Sequence, residues 1–169
     1  MSLVLPNSVT AIAKGTYTYG AATFASFTPL KTLEANGLKT VGGYAFYKCA
    51  ALETASLPAA ATVEGAAFQY CTALETVNLP LAATIEGSAF QYCDALESLT
   101  LGTALPALDT YVFRDAGRDS GGFTVYVPTA AAEAALNAAI EDTGNSWYKA
   151  LKVPANMGEG KFNGVAVTQ

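Results

Sequence analysis

Cys49, Cys71 and Cys93 stand at a fixed interval of 22 residues. Two columns of carboxylates keep the same step: Glu53, Glu75 and Glu97, and then Glu64 and Glu86, with Asp109 one residue late. These are the residue types that could do chemistry. Stacked thiols suggest a redox pair or a zinc site. Stacked carboxylates approach the ~5 Å separation used by retaining glycosidases, or could hold calcium. Each reading meets a physical objection. Cysteines on successive turns of a repeat point the same way, which is poor geometry for a disulfide. Zinc needs a fourth ligand, and the chain has no histidine. Equal spacing also gives every carboxylate a similar environment, so nothing sets an acid apart from a base. The expectation is therefore buried, reduced thiols and a solvated acidic face, with no metal site.

Composition narrows the function further. The 169 residues carry a net charge of −5, with nine basic residues and no Lys/Arg cluster. That argues against nucleic acid and against insertion in, or adhesion to, an anionic membrane. Although 51% of the chain is apolar, no stretch approaches the ~18 uninterrupted apolar residues of a membrane span. The start, MSLVLPNSVT, has no basic n-region and no long h-region, so no export signal is expected within this chain. The lack of histidine removes the commonest general base and every Ser-His or Cys-His pair. There is no phosphate-binding glycine loop either. The chain is expected not to be an enzyme and to take no cofactor.

The columns belong to a repeat. Phe46, Phe68 and Phe90 keep the step of 22, as do Val41, Val63 and Ile85, Leu52, Leu74 and Leu96, and Leu57, Leu79 and Leu101. Stepping back, Phe24, Phe27, Leu30, Leu33 and Ala35 fall on the same columns. Stepping forward, Leu108 and Phe113 answer Ile85 and Phe90 after one inserted residue. In-phase apolar columns of this length predict a solenoid of about 4–5 rungs of 22–23 residues. Within a rung, LETVNLP alternates as a half-buried strand does, predicting parallel strands near 54–57, 76–79 and 98–101. Pro58 and Pro80 follow the strand, where a missing N–H does least harm. The rest of the rung predicts an irregular return of turns with short extended or helical pieces. Gly65 and Gly87 there mark a turn that needs either positive φ or close backbone approach.

The phrase L-x-x-V-x-L-P…T-V/I-E-G-x-A-F-Q-Y-C resembles the BspA-like (Treponema pallidum-type) bacterial leucine-rich repeats. LVLPNSVTAIAKGTY fits the same pattern with Tyr17 in the Phe place, and FTVYVPTAAAEAAL…NSWYKAL resembles the family's closing segment. One departure is that Ala60, Ala82 and Ala104 stand where general leucine-rich repeats carry an Asn/Cys column. The resemblance implies a right-handed leucine-rich repeat solenoid with a parallel β ladder and a C-terminal helical cap. It also implies an exported, extracellular or cell-surface protein, with adhesion to host or microbial proteins or glycans. It says nothing about ligand residues.

The organisation expected is an N-terminal cap and degenerate first rung over 1–36, repeats over 37–128, a cap with a short helix over 129–155, and a tail over 156–169. KGTYTYGAATFASF suggests a small hairpin or bulge. Thr129 is the expected N-cap of a helix from Ala130 to about Ile140, with Ala132, Leu136, Ala139 and Ile140 inward. Trp147, Tyr148, Leu151 and Val153 then lid the last rung, FTVYVP forms the final strand, and the glycine-rich tail is a loose hairpin or linker stump. The candidate binding face is the outward side of the strands: Thr54, Ser56, Thr76, Asn78, Ser98 and Thr100, with the Glu53, Glu75 and Glu97 edge. Tyr44, Tyr70, Tyr92, Lys48, Gln69 and Gln91 read as cover for the return segment before they read as anchors. The expectation is a non-enzymatic binding module. The alternative is a structural spacer or capping domain of a larger exported protein, with no ligand of its own.

Overall fold

A computed structural model describes residues 1–15, 23–109, 111–151 and 162–168. Five successive rungs each contribute two strands. They are β1 (Ser2–Val4) with β2 (Ala11–Ile12), β3 (Thr32–Glu34) with β4 (Thr40–Val41), and β5 (Thr54–Ser56) with β6 (Thr62–Val63). After them come β7 (Thr76–Leu79) with β8 (Thr84–Ile85), and β9 (Ser98–Leu101) with β10 (Ala107–Leu108). Strand β11 (Phe123–Val127), helices α1 (Ala130–Glu141) and α2 (Ser146–Leu151), and strand β12 (Phe162–Val167) close the chain. The odd strands up to β11 form one parallel sheet, with β12 added at its end, and the even strands up to β10 form a second parallel sheet. This is the repeating parallel architecture of a leucine-rich repeat solenoid.

The step of 22 residues reappears as register. Thr32 pairs with Thr54, Thr54 with Thr76, and Thr76 with Ser98. Each side chain therefore lies over its counterpart one rung away. Leu33, Ala55, Val77 and Leu99 point inward and are buried, while their neighbours face outward. At the strand's end the chain turns a corner, Leu57 to Ala60 and Leu79 to Ala82, closed by N–H···O bonds of 3.1 and 3.2 Å. Pro58 and Pro80 sit second in these turns, where their fixed φ suits the turn and no donor is needed.

The return segment is more ordered than its sequence suggests. Its extended pieces are the even strands, and among the described residues the rest is a run of consecutive turns with no helical piece. Gly65 lacks positive φ, and so does Gly87; the left-handed residues are the next ones, Ala66 (φ 57°) and Ser88 (φ 61°). Close approach is what the glycine column serves: a Cβ on Gly43 would lie 3.1 Å from the Gly65 carbonyl oxygen. That oxygen accepts the Tyr44 N–H at 3.2 Å, and the Gly87 oxygen accepts the Ala66 N–H at 3.0 Å.

A phenylalanine column forms the centre of the core. Phe24, Phe46, Phe68, Phe90 and Phe113 stack with centroids 5.2–5.9 Å apart and planes within 9°. The column ends where Phe123 and Trp147 tilt against Phe113. Trp147 is buried and donates its Nε1–H to the Pro106 carbonyl at 3.1 Å, which fixes α2 over the last rung. Thr129 caps α1 by accepting the Ala132 N–H, and Ala132, Leu136, Ala139 and Ile140 are its buried face.

Two expectations about the end of the chain fail. Phe123–Val127 is not the last strand, and residues 162–167 are not a loose stump: β12 pairs with β11 in parallel, Val125 beside Val165 and Val127 beside Val167. The apolar alternation of FNGVAV suits it to this place, and Phe162 meets Phe123 edge-on at 5.8 Å. The single inserted residue holds at Leu108 and Phe113, but the chain then adds a loop over residues 117–122, so Thr124 is the partner of Ser98. The expected hairpin near residue 16, with Tyr17 and Tyr19, lies outside the described residues, as does Val153.

Phe90→Ala tests the column. Phe90 is fully buried between Phe68 and Phe113. Rigid neighbours on both sides can fill little of the cavity, so urea unfolding should show a loss of ~3–5 kcal/mol. A loss under ~1 kcal/mol would place the ring outside the core.

Candidate functional site

The outward ladder of the first sheet brings all six predicted strand residues together. Thr54, Thr76 and Ser98 form one row, and Ser56, Asn78 and Thr100 the next. The rows extend to Thr32 and Glu34 on one side and to Thr124 and Tyr126 on the other. Thr76 is exposed and the other five are half-buried. Ser98 Oγ lies 3.4 Å from Thr76 Oγ1 as donor to it. None of these side chains belongs to the core. Tyr126 supplies the aromatic that the ladder otherwise lacks. Its outward place was legible in FTVYV, where Tyr126 alternates with buried Val125 and Val127.

Glu53, Glu75 and Glu97 run along the edge of this ladder, but they are not three equal carboxylates. Glu53 is held by Lys31 at 2.6 Å, with both side chains well exposed. The bond to Glu53 raises the Lys31 ammonium above its ordinary value. Lys31 occupies this column one rung earlier, so a cation begins what anions continue. Glu75 and Glu97 are exposed. The second carboxylate column holds the backbone of the turns together. Glu64 Oε2 accepts the Gly43 N–H and Glu86 Oε2 the Gly65 N–H, each at 3.0 Å. Among the described residues no group of three or more Cys, Asp or Glu side chains is placed to hold a metal ion.

The three cysteines are free and buried. Each thiol donates to the carbonyl of the phenylalanine one rung back: Cys49 to Phe24 at 3.0 Å, Cys71 to Phe46 at 3.1 Å and Cys93 to Phe68 at 3.3 Å. The Phe46 oxygen already accepts the Cys49 N–H, and the Phe68 oxygen the Cys71 N–H. Cysteine therefore fits as a small apolar filler with a weak donor. Burial pushes the Cys49 thiol up to about 11 and raises Cys71 and Cys93 well above the ordinary thiol value. Thiolate chemistry is suppressed at neutral pH.

Two further features were not foreseen. The second sheet presents its own outward threonine row, Thr40, Thr62 and Thr84, legible as the recurring Thr-Val, Thr-Val, Thr-Ile. Around the inserted loop, Asp94 is buried and meets Arg118 at 2.9 Å through Oδ2, while Oδ1 has no hydrogen-bond partner among the described residues. Burial raises the Asp94 carboxyl; Arg118 opposes this, and Asp119 and Asp115 add to it. Beside it the tyrosines of the turn segment form a ladder: Tyr47 meets Tyr70 edge-on at 5.7 Å and Tyr70 stacks on Tyr92 at 4.6 Å. Gln69 donates its amide to Gln91. Two residues per rung here are left-handed, among them Tyr44, Lys48, Tyr70 and Tyr92 at φ of 59–63°. A non-glycine residue gives up roughly 1–2 kcal/mol in this conformation.

A family profile described as a BspA type leucine-rich repeat region matches residues 1–117 in six copies. No curated protein matches the chain. No solved structure matches it either.

The thiol column generates a pH prediction. An acid whose folded pKa lies above its unfolded value holds its proton more tightly in the native state. Stability is full below the ordinary thiol value of 9.0 and falls as pH climbs through about 11 at Cys49. The thermal midpoint should decline across this window, and less steeply in Cys49→Ala. At neutral pH a thiol reagent should label the native protein slowly and the denatured protein fast. Rapid native labelling would contradict the assignment.

Proposed function

The chain belongs to the BspA-type leucine-rich repeat family, and from that membership we propose that it is a non-enzymatic, exported or cell-surface binding module. Such repeat proteins are generally surface-associated and typically non-catalytic. No helix among the described residues is long and apolar enough to cross a membrane. In this reading the partner, a host or microbial protein or glycan, docks on Thr54, Ser56, Thr76, Asn78, Ser98 and Thr100, with Glu53, Glu75 and Glu97 at the rim. The observation that carries it is the unbroken register of these side chains across parallel strands. They form one rigid surface that the core does not use, so recognition can change there at little cost to folding. A rigid surface also avoids much of the ordering cost of binding. With one aromatic, Tyr126, at its end, each contact is weak, about micromolar per site.

The rival is a spacer or capping domain with no ligand. It draws support from the small, nearly uncharged side chains of the ladder.

A glycan and matrix-protein array separates the two. The binding-module reading expects a signal that Thr76→Lys with Asn78→Lys removes, while Thr84→Lys on the second sheet leaves it intact. An array with no signal at high protein concentration favours the spacer. Loss of signal only in Thr84→Lys, with both proteins folded, places the site elsewhere.

A further inference from the structure

One corner of the solenoid departs from the others. The residue that opens the corner is Pro6, Pro58 or Pro80 in the first, third and fourth rungs and Gly102 in the fifth, but Asn36 in the second. Gly37 follows it, and the packing explains the glycine. Leu3 pairs with Leu33 but Ile12 with Val41, so the first rung takes one residue more to round its corner. The extra length carries the Asn7 carbonyl over position 37, where a Cβ would collide with its oxygen. Only glycine fits.

Asparagine before glycine is a reactive pair. The side-chain amide carbon lies within reach of the next backbone nitrogen, and glycine gives that nitrogen the least steric cover and the widest choice of φ and ψ. The reaction needs an amide open to water and a nitrogen that no hydrogen bond restrains. Asn36 is exposed. Among the described residues, neither its amide nor the Gly37 N–H has a hydrogen-bond partner. The other Asn-Gly pair of the chain, Asn163–Gly164, is placed differently. Gly164 pairs with Thr124 inside the sheet, and the Asn163 side chain is packed against Gly122.

We propose that Asn36–Gly37 is a site of spontaneous covalent modification, at which the native chain converts Asn36 to aspartate and isoaspartate. The Gly37 nitrogen gives its proton to solvent base and bonds to Asn36 Cγ. The bond from Cγ to the amide nitrogen breaks, that nitrogen takes up a proton, and ammonia leaves. The product is a succinimide ring, which water opens at either carbonyl. Breaking the bond from Cγ to the Gly37 nitrogen leaves aspartate at position 36. Breaking the bond from the main-chain carbonyl carbon leaves isoaspartate, with Cβ and Cγ now in the backbone.

The two products differ in effect. Aspartate keeps the backbone path. Isoaspartate lengthens it by one methylene, inside a corner closed by the Leu38 N–H on the Ala35 carbonyl at 3.3 Å. The Asn7 carbonyl already fills the space over Gly37, so the lengthened corner pushes the first rung away. The bonds at risk are the Leu5 N–H on the Glu34 oxygen at 2.9 Å and the Lys39 N–H on the Thr10 oxygen at 2.8 Å. The first rung therefore loosens with age while the later rungs hold.

The test incubates the folded full chain in mildly alkaline buffer and follows it by peptide mapping, with isoaspartyl and aspartyl peptides separated by chromatography. Conversion should be at least about tenfold faster at Asn36 than at Asn163, which reacts only when the ladder opens. Hydrogen exchange on the isolated isoaspartyl protein should be faster at Leu5 and Lys39 and unchanged at Leu57. Asn36→Gln, whose longer side chain closes the ring far more slowly, should stay homogeneous and keep its slow exchange through the same incubation. Asn36 intact in the folded protein, equal conversion at both pairs, or an isoaspartyl protein with unchanged exchange in residues 1–15 would each overturn the proposal.

Discussion

Parallel strands in unbroken register impose one rule on this molecule: every side chain lies against its own counterpart one rung away. Like must therefore tolerate like. Phenylalanine does so well, because offset rings at 5.2–5.9 Å gain from stacking and leave no gap. Small residues do so at Ala45, Ala67 and Ala89, all buried. Charge does so badly. The molecule meets that cost by starting one acidic column with Lys31 and by turning Glu64 and Glu86 onto glycine amides. The thiols obey the same rule, each finding a carbonyl rather than another sulfur.

This rule is why so much could be read from the residues. Period alone places the strands at Thr54, Thr76 and Ser98, buries Phe68, Phe90, Leu74 and Leu79, and aligns the outward threonines. The cap was legible for another reason: Thr129 and the apolar spacing of Ala132, Leu136, Ala139 and Ile140 are local signals. Backbone conformation inside the turn segment was not legible. Its left-handed positions carry Tyr, Lys, Ala, Ser and Asp, with no glycine to mark them. There the bonds to the next rung dictate φ, as when the Tyr70 N–H reaches the Gln91 oxygen and the Tyr92 N–H the Arg114 oxygen. Strand β12 escaped because its pairing crosses a long span of sequence with no repeat to announce it. The Asp94–Arg118 pair escaped because it depends on where the inserted loop folds back.

The candidate binding face was legible as a geometry and not as an activity. Register shows that Thr76 and Asn78 are free of the core. It gives no chemical reason for one partner over another, because hydroxyls and a single amide discriminate little.

The central claim is that the rungs are interchangeable units held by register, and deletion of one rung tests it directly. Removing residues 65–86 joins Glu64 to Gly87 and restores every column one repeat shorter. That protein should show strand-rich circular dichroism and a single cooperative melt at a lower midpoint. Removing one residue fewer, 65–85, shifts every later side chain by one position against its neighbour; it should fail to fold cooperatively. If the two deletions behave alike, both folded or both unfolded, in-register stacking is not what holds the molecule together.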